Sequence, residues 1–294
     1  MTTRPDYALA IHGGAGPKLG RDYSEVERHL SRLIADGEAM LKSGESAVDT
    51  VEQMVRELEV SGLYVAGRGS APNAAGFVET DAAIMDGAAM KAGSIAAVRD
   101  LVNPIAGARA VMDKTPHIMI AGEGADRFCA EHGLNTVGDP VNWYRLPVGV
   151  EEIETKTDEL AHGTVGAVAM DTRGRLAAAT STGGLFGKRA GRVGDTPIIG
   201  SGTWADKTVA VSCTGLGEYF ILSNAAYDVA AQLMYSGTVL ETAANRTLDR
   251  VAAFGGDGGL IAIDKSGTVI LAYNSQGMKR ASVSSGQDAV VAIF

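Results

Sequence analysis

Apolar positions along this chain alternate between a helical and a strand period, and the changes of period mark its elements. Val48, Val51, Val55 and Leu58 recur at helical spacing, which predicts an amphipathic helix over 46–60 with that face in the core. A helix over 22–42 precedes it. Asn103-Pro104 suits the N-cap and first turn of a helix running to Asp113, and further helices are expected over 124–132, 217–235 and 238–254. Short apolar or alternating runs predict strands at Tyr7–His12, His117–Ala121, Thr164–Asp171, Arg175–Ser181 and Thr208–Thr214. The second pair forms a hairpin around Thr172-Arg-Gly174. A closing hairpin joins Leu260–Asp264 to Thr268–Asn274 through Lys265-Ser-Gly267, and Ala289–Phe294 adds an edge strand. Strands interspersed with helices in both halves give an α/β protein. Between the halves, from Glu151 to His162, charge dominates and apolar residues thin out. The stretch 149–163 therefore reads as an exposed linker, where a chain can be nicked.

The most informative dipeptide lies where that linker meets the next strand, at Gly163-Thr164. If the bond before it is cut, Thr164 becomes an N-terminus that carries both a hydroxyl nucleophile and a base, its own α-amine. Such an amine has a pKa of roughly 7.7–8.0, so an appreciable fraction can accept a proton near neutrality. The pairing is a variant of triad logic. Glycine before it tolerates the distorted backbone that attack on its own carbonyl requires. Taken locally, a threonine opening a strand is ordinary, and three downstream segments change the odds.

Leu176-Ala-Ala-Ala-Thr-Ser-Thr-Gly-Gly184 ends in hydroxyls and glycines, and Thr182 there is placed either to bond Thr164 or to satisfy its own strand end. In Gly191-Arg-Val-Gly-Asp195, the guanidinium of Arg192 suits a carboxylate, and Asp195 can accept from an ammonium. The two fit the α-carboxylate and α-amine of an amino acid, or equally each other and solvent. Val209-Ala-Val-Ser-Cys-Thr-Gly215 runs into Thr214 and Gly215, whose hydroxyl and open backbone N–H suit an oxyanion, or an ordinary strand-to-helix turn.

With Ile11-His-Gly-Gly-Ala-Gly16, Met85-Asp-Gly87, Ser181-Thr-Gly-Gly184 and Gly258-Gly-Leu-Ile-Ala-Ile263 added, the chain resembles the plant-type (class 2) asparaginase and isoaspartyl peptidase family of N-terminal-nucleophile hydrolases, nearly end to end. The resemblance implies a four-layer αββα sandwich forming one domain over 1–294. It implies self-cleavage between Gly163 and Thr164 into an α subunit (1–163) and a β subunit (164–294), with no catalytic cofactor. By matching position, Thr164 is similar to the nucleophile, Thr182 to its supporting hydroxyl, Arg192 and Asp195 to the substrate clamp, and Thr214 and Gly215 to the oxyanion hole. Implied substrates are N-terminal β-aspartyl dipeptides and L-asparagine, and the implied assembly is a homodimer of processed αβ heterodimers. A structural sodium ion is implied on the backbone carbonyls of Leu58, Glu59, Ser61, Tyr64, Ala66 and Arg68. One departure stands beside that loop: relatives read Asn-Ala-Gly-x-Gly where this chain has Val65-Ala-Gly-Arg-Gly69. The amide is lost, which bears on maturation and on the use of free asparagine.

Composition narrows the alternatives. A net charge of −9 with no basic stripe argues against nucleic acid. Two cysteines, Cys129 and Cys213, suit a reducing cytoplasm better than a disulfide framework, and Cys213 reads as a buried thiol. Met1-Thr-Thr-Arg-Pro-Asp6 lacks a signal peptide's apolar core, no stretch reaches membrane-spanning length, and the five histidines lack metal-ligand spacing. Three rivals stand beside the hydrolase. A dinucleotide-binding enzyme lacks the third glycine, because Gly14-Ala-Gly16 runs into Pro17-Lys18-Leu19. An α/β-hydrolase lacks any G-x-S-x-G elbow. A non-processing relative that only binds an amino acid is kept open by Val65 and opposed by Thr164, Arg192, Asp195 and Thr214 together.

Overall fold

The computed structural model describes residues 4–151 and 163–294. The first half comprises β1 (Ala8–Ala15), α1 (Ser24–Lys42), α2 (Ala47–Ser61), β2 (Thr80–Asp86), β3 (Lys91–Val98), α3 (Pro104–Lys114), β4 (Met119–Ala121), α4 (Gly122–Glu131) and α5 (Pro140–Trp143). The second comprises β5 (Val165–Met170), β6 (Leu176–Thr182), β7 (Thr203–Ala205), β8 (Val209–Gly215), α6 (Gly217–Ser223), α7 (Ala225–Ser236), α8 (Leu240–Ala253), β9 (Gly258–Asp264), β10 (Val269–Tyr273), β11 (Met278–Ser284) and β12 (Val290–Ala292). It is a mixed α/β protein with helices packed against sheets. One sheet has eight strands in the order β12-β11-β1-β5-β6-β2-β3-β4, and the other has four, β10-β9-β8-β7. Among the described pairs of strands only β3–β4 is parallel.

Alternation along the strands sorts side chains between cores. Leu9, Ile11, Val165, Ala167 and Ala177 join one apolar cluster with Leu30 and Leu33 of α1 and Val51, Val55 and Leu58 of α2. Their neighbours Ala8, Ala10, Val168, Met170 and Ala178 join Ala210, Ile261 and Ile263 in another. On the opposite face of β8 and β9, Val211, Cys213, Leu260 and Ala262 pack with residues of α7 and α8. A Cβ on Gly166 would lie 2.0 Å from Ser212 Oγ, so the two sheets approach at the start of β5 as closely as glycine allows.

Most expected elements appear, with shifted ends. Ser46 caps α2, its Oγ accepting from Asp49 N. Asn103 precedes α3 but does not cap it. Its amide donates to Arg56 O and Glu59 Oε2, while Glu59 Oε1 accepts from Ile105 N. Burial pushes the Glu59 carboxyl up to about 7, although these hydrogen bonds pull it down. The single helix expected over 217–235 is two, α6 and α7, broken at Asn224 (φ 48°, ψ 47°), a left-handed conformation that asparagine tolerates. The strand over 117–121 shortens to β4. The hairpin β2–β3, with β7 and β11, was not expected. β2 and β3 are built largely from Ala, Gly, Ser and Asp, which carry little strand signal. β11 holds Lys279 and Arg280, and Lys279 is buried with its ammonium 5.5 Å from the Tyr23 ring centroid. Of the expected linker, residues 152–162 lie outside the described residues.

Candidate active site

Thr164 sits one residue before β5, 5% exposed, with the chain continuous through Gly163. Its environment is set by the ends of three strands. Thr182 closes β6, and its Oγ1 donates to Gly163 O at 2.8 Å. The same oxygen accepts from Thr164 Oγ1 (3.3 Å) and from Gly184 N (2.9 Å). Thr182 thus polarises the carbonyl before Thr164 while taking that residue's hydroxyl proton in a hydrogen bond. On another side lies Gly14 (φ +100°), where a Cβ would sit 3.2 Å from both Gly163 Cα and Thr164 N. Only glycine permits β1 to press against this peptide bond.

The Thr164 carbonyl is held by His12. His12 Nδ1 lies 3.0 Å from Thr164 O and Nε2 lies 3.0 Å from Ser212 Oγ. Burial pushes the His12 pKa down to about 3, with the bond to Thr164 opposing, so the ring is neutral at working pH. A carbonyl only accepts, which puts the ring proton on Nδ1 and makes Nε2 accept from Ser212. Ser212 Oγ is then free to accept from Thr180 Oγ1 (2.8 Å), which in turn accepts from Thr203 Oγ1 (2.7 Å). This chain of oriented hydroxyls crosses between the two sheets and ends beside the loop that carries Asp195, where Thr203 Oγ1 is also 3.1 Å from Thr196 O.

The remaining expected residues converge on the same place. Thr164, Thr182, Arg192, Asp195 and Gly215 line one cleft together with Gly163, Leu185 and Gly217. Asp195 is buried, and its Oδ2 has no hydrogen-bond partner. Burial lifts its carboxyl to about 7, although the nearby Arg192 pulls the other way. A buried acceptor left without a donor is costly, so this atom can take a hydrogen bond from a donor that enters the cleft. Arg192 and Asp195 do not pair with each other. The Arg192 fork instead holds Glu218 of α6, Nε to Oε1 at 2.9 Å and Nη2 to Oε2 at 2.7 Å, a carboxylate–guanidinium geometry. Gly217 makes room for both, since a Cβ there would lie 2.8 Å from Asp195 Oδ1 and 3.1 Å from Arg192 Nη2. Thr214 is buried in β8 and its hydroxyl accepts from Ala15 N (3.1 Å), tying the end of β1 to the cleft wall.

A family model described as Asparaginase matches residues 5–293. The chain belongs to that family. It is 42% identical to the isoaspartyl peptidase of Escherichia coli strain K12, over 97% of this chain and 95% of the other. It is 41% identical to the isoaspartyl peptidase of Salmonella typhimurium strain LT2, covering 97% and 98%. It is also 41% identical to the isoaspartyl peptidase/L-asparaginase of Bos taurus, covering 95% and 94%.

Val65, where the resemblance implies an asparagine, is buried with Ala71 and Phe186, and its carbonyl accepts from Gly183 N. A Cβ on Gly163 would lie 2.9 Å from Val65 Cγ2, so methyl groups, not an amide, face the residue before Thr164. The loop around it offers main-chain carbonyls, the kind of oxygen ligand that a hard cation takes. The carbonyls of Leu58, Ser61, Tyr64, Ala66 and Arg68 each accept one hydrogen bond, from Ser61 Oγ, Arg145 Nη2, Ala66 N, Gly69 N and Arg145 N, and each keeps a second lone pair. At Gly67 a Cβ would lie 2.5 Å from Glu59 O, so glycine is required for this closure. Among the described residues no cluster of three or more His, Cys, Asp or Glu could hold a metal. Both cysteines are free and buried.

His12, Ser212, Thr180 and Glu218 carry parts of the site that the sequence did not reveal. His12 lies inside the Ile11–Gly16 motif, and Glu218 follows Thr214-Gly215 by three residues, so their neighbourhoods were legible and their roles were not.

Proposed function

We propose that this chain cuts itself between Gly163 and Thr164, giving segments 1–163 and 164–294, and then hydrolyses N-terminal β-aspartyl dipeptides and L-asparagine to release L-aspartate. The observation that carries the reading is Thr182 Oγ1 on Gly163 O with the Thr164 hydroxyl behind it. In self-cleavage Thr164 Oγ1 attacks the Gly163 carbonyl carbon, an ester replaces the amide, and the amide nitrogen leaves as the α-amine. Water then hydrolyses the ester. In turnover that amine takes the hydroxyl proton while Oγ1 attacks the substrate's side-chain carbonyl. Ammonia or an α-amino peptide departs, and water releases aspartate from the acyl-enzyme. Arg192 holds the α-carboxylate after displacing Glu218, Asp195 holds the α-ammonium, and Gly215 N–H with the Thr214 hydroxyl stabilises the oxyanion.

The two sheets with helices outside each are read as the four-layer αββα sandwich of N-terminal-nucleophile hydrolases. The carbonyls of Leu58, Glu59, Ser61, Tyr64, Ala66 and Arg68 would hold a sodium ion, whose charge would rigidify the loop that presents Val65. The processed chain is read as a cytoplasmic homodimer of αβ heterodimers; among the described residues no helix is long and apolar enough to cross a membrane. Denatured intact mass tests the reading. Fragments of 163 and 131 residues (294 − 163) are expected from the parent, and one uncut, inactive chain from Thr164→Ala. Cutting by Thr164→Ala would refute it.

A further inference from the structure

The segment from Gly183 to Gly194 contains five glycines, Gly183, Gly184, Gly187, Gly191 and Gly194, and so has little conformational preference of its own. It is held instead by the turn over 72–79. Gly187 N donates to Pro72 O (3.3 Å), Ala74 N to Lys188 O (2.8 Å) and Lys188 Nζ to Glu79 O (2.8 Å). Gly191 N, the amide immediately before Arg192, donates to the Glu79 carboxylate at 3.1 Å from both oxygens. The Glu79 side chain is itself aimed. Asn73 Nδ2 donates to its Oε2 at 2.8 Å, and Asn73 Oδ1 accepts from Ala75 N and Phe77 N, which fixes which end of the amide faces Glu79. Glu79, Asn73 and Lys188 are all buried. Gly191 has φ +79°, a backbone that only an outside grip can hold at one value in so glycine-rich a run.

We propose that Glu79 is a positioning residue for substrate capture, acting through Gly191 N to aim the Arg192 fork. The inference rests on Arg192 being the clamp for the substrate's carboxylate. Self-cleavage uses Thr164 and Thr182 and makes no use of Arg192, so loss of Glu79 separates the two activities. Glu79→Gln is nearly isosteric and keeps the main-chain oxygen that binds Lys188. It leaves one acceptor for two donors, Asn73 Nδ2 and Gly191 N, and turns an amide NH2 toward one of them.

The experiment compares the parent, Glu79→Gln, Arg192→Ala and the double variant. It reads the rate of cutting by intact mass, and kcat and KM on a β-aspartyl dipeptide. Glu79→Gln should cut at the parental rate and raise KM roughly tenfold with kcat nearly unchanged, the signature of lost capture. The double variant should be no worse than Arg192→Ala alone, because residues acting in series are not additive. Asn73→Ala, which removes the prop without touching Gly191, should reproduce the pattern more weakly and covers the case that Glu79→Gln does not fold. If Arg192→Ala raises KM but Glu79→Gln and Asn73→Ala do not, the inference is overturned. Additive losses, or slower cutting in parallel with the KM effect, overturn it equally by making Glu79 a general support of the fold. An unchanged KM in Arg192→Ala would remove the clamp itself, and this inference with it.

Discussion

Thr182 Oγ1 donates to the carbonyl oxygen of Gly163 at 2.8 Å while accepting from the hydroxyl of Thr164. One side chain thereby activates both partners of the proposed acyl shift. Thr182→Val keeps the shape, removes the donor and orphans Gly184 N. Its self-cleavage should slow by roughly 10²-fold, the scale of losing one oxyanion-type donor. Densitometry of the two fragments over time checks this, and parental cutting would exclude Thr182 from the step.

Val65 presents methyl groups to Gly163 where the resemblance implies an amide. Val65→Asn should accelerate cutting by roughly tenfold if the amide reaches the scissile carbonyl. The same change places a polar group against Ala71 and Phe186. It should therefore cost about 1–3 kcal/mol of stability in the uncut chain. Cleavage kinetics beside thermal melting test both halves.

Burial holds the Asp195 carboxyl at about 7, against 3.8 for the free side chain. The folded protein grips this proton more tightly than the unfolded chain does. The resulting stabilisation is complete below 3.8 and is lost as pH rises to about 7. Asp195→Asn should therefore melt above the parent at about pH 8, with the gap closing toward about pH 4. Because the ionised form is proposed to bind the substrate's ammonium, and the Thr164 amine must also be unprotonated, kcat/KM of the parent should fall on its acid side with the slope of two protons, Asp195 contributing the one near 7. A slope of one proton would sink the assignment.

Glu218 fills the Arg192 fork that the substrate's carboxylate is proposed to take. Its side chain is 54% exposed, so the competition is solvent-screened. Glu218→Gln should lower KM by roughly two- to fivefold, with the difference shrinking at high salt. Initial rates at two ionic strengths decide it; a higher KM would make Glu218 a support of Arg192 instead of a competitor.

Much of this protein was written in its sequence because the relevant physics is local. Helical spacing at Val48, Val51, Val55 and Leu58 set α2 and its buried face. Turn residues at Thr172-Arg-Gly174 and Lys265-Ser-Gly267 set two hairpins. Short motifs in a fixed order marked Thr164, Thr182, Arg192, Asp195 and Gly215, which the structure gathers in one cleft. What the sequence left undetermined depends on residues distant along the chain. The alanine-rich hairpin β2–β3 is a strand pair because it finds β6 beside it, and propensity alone gives no such instruction. His12 is 152 positions from the carbonyl it holds, and Glu218 is 26 from Arg192. Only the closing of the two sheets fixes the His12 tautomer. Only the packing of α6 against the loop over 191–195 brings a carboxylate into the Arg192 fork. Periodicity reports which face is buried, whereas partner choice within the buried site follows from distance and donor–acceptor balance, and these exist only once the chain has folded.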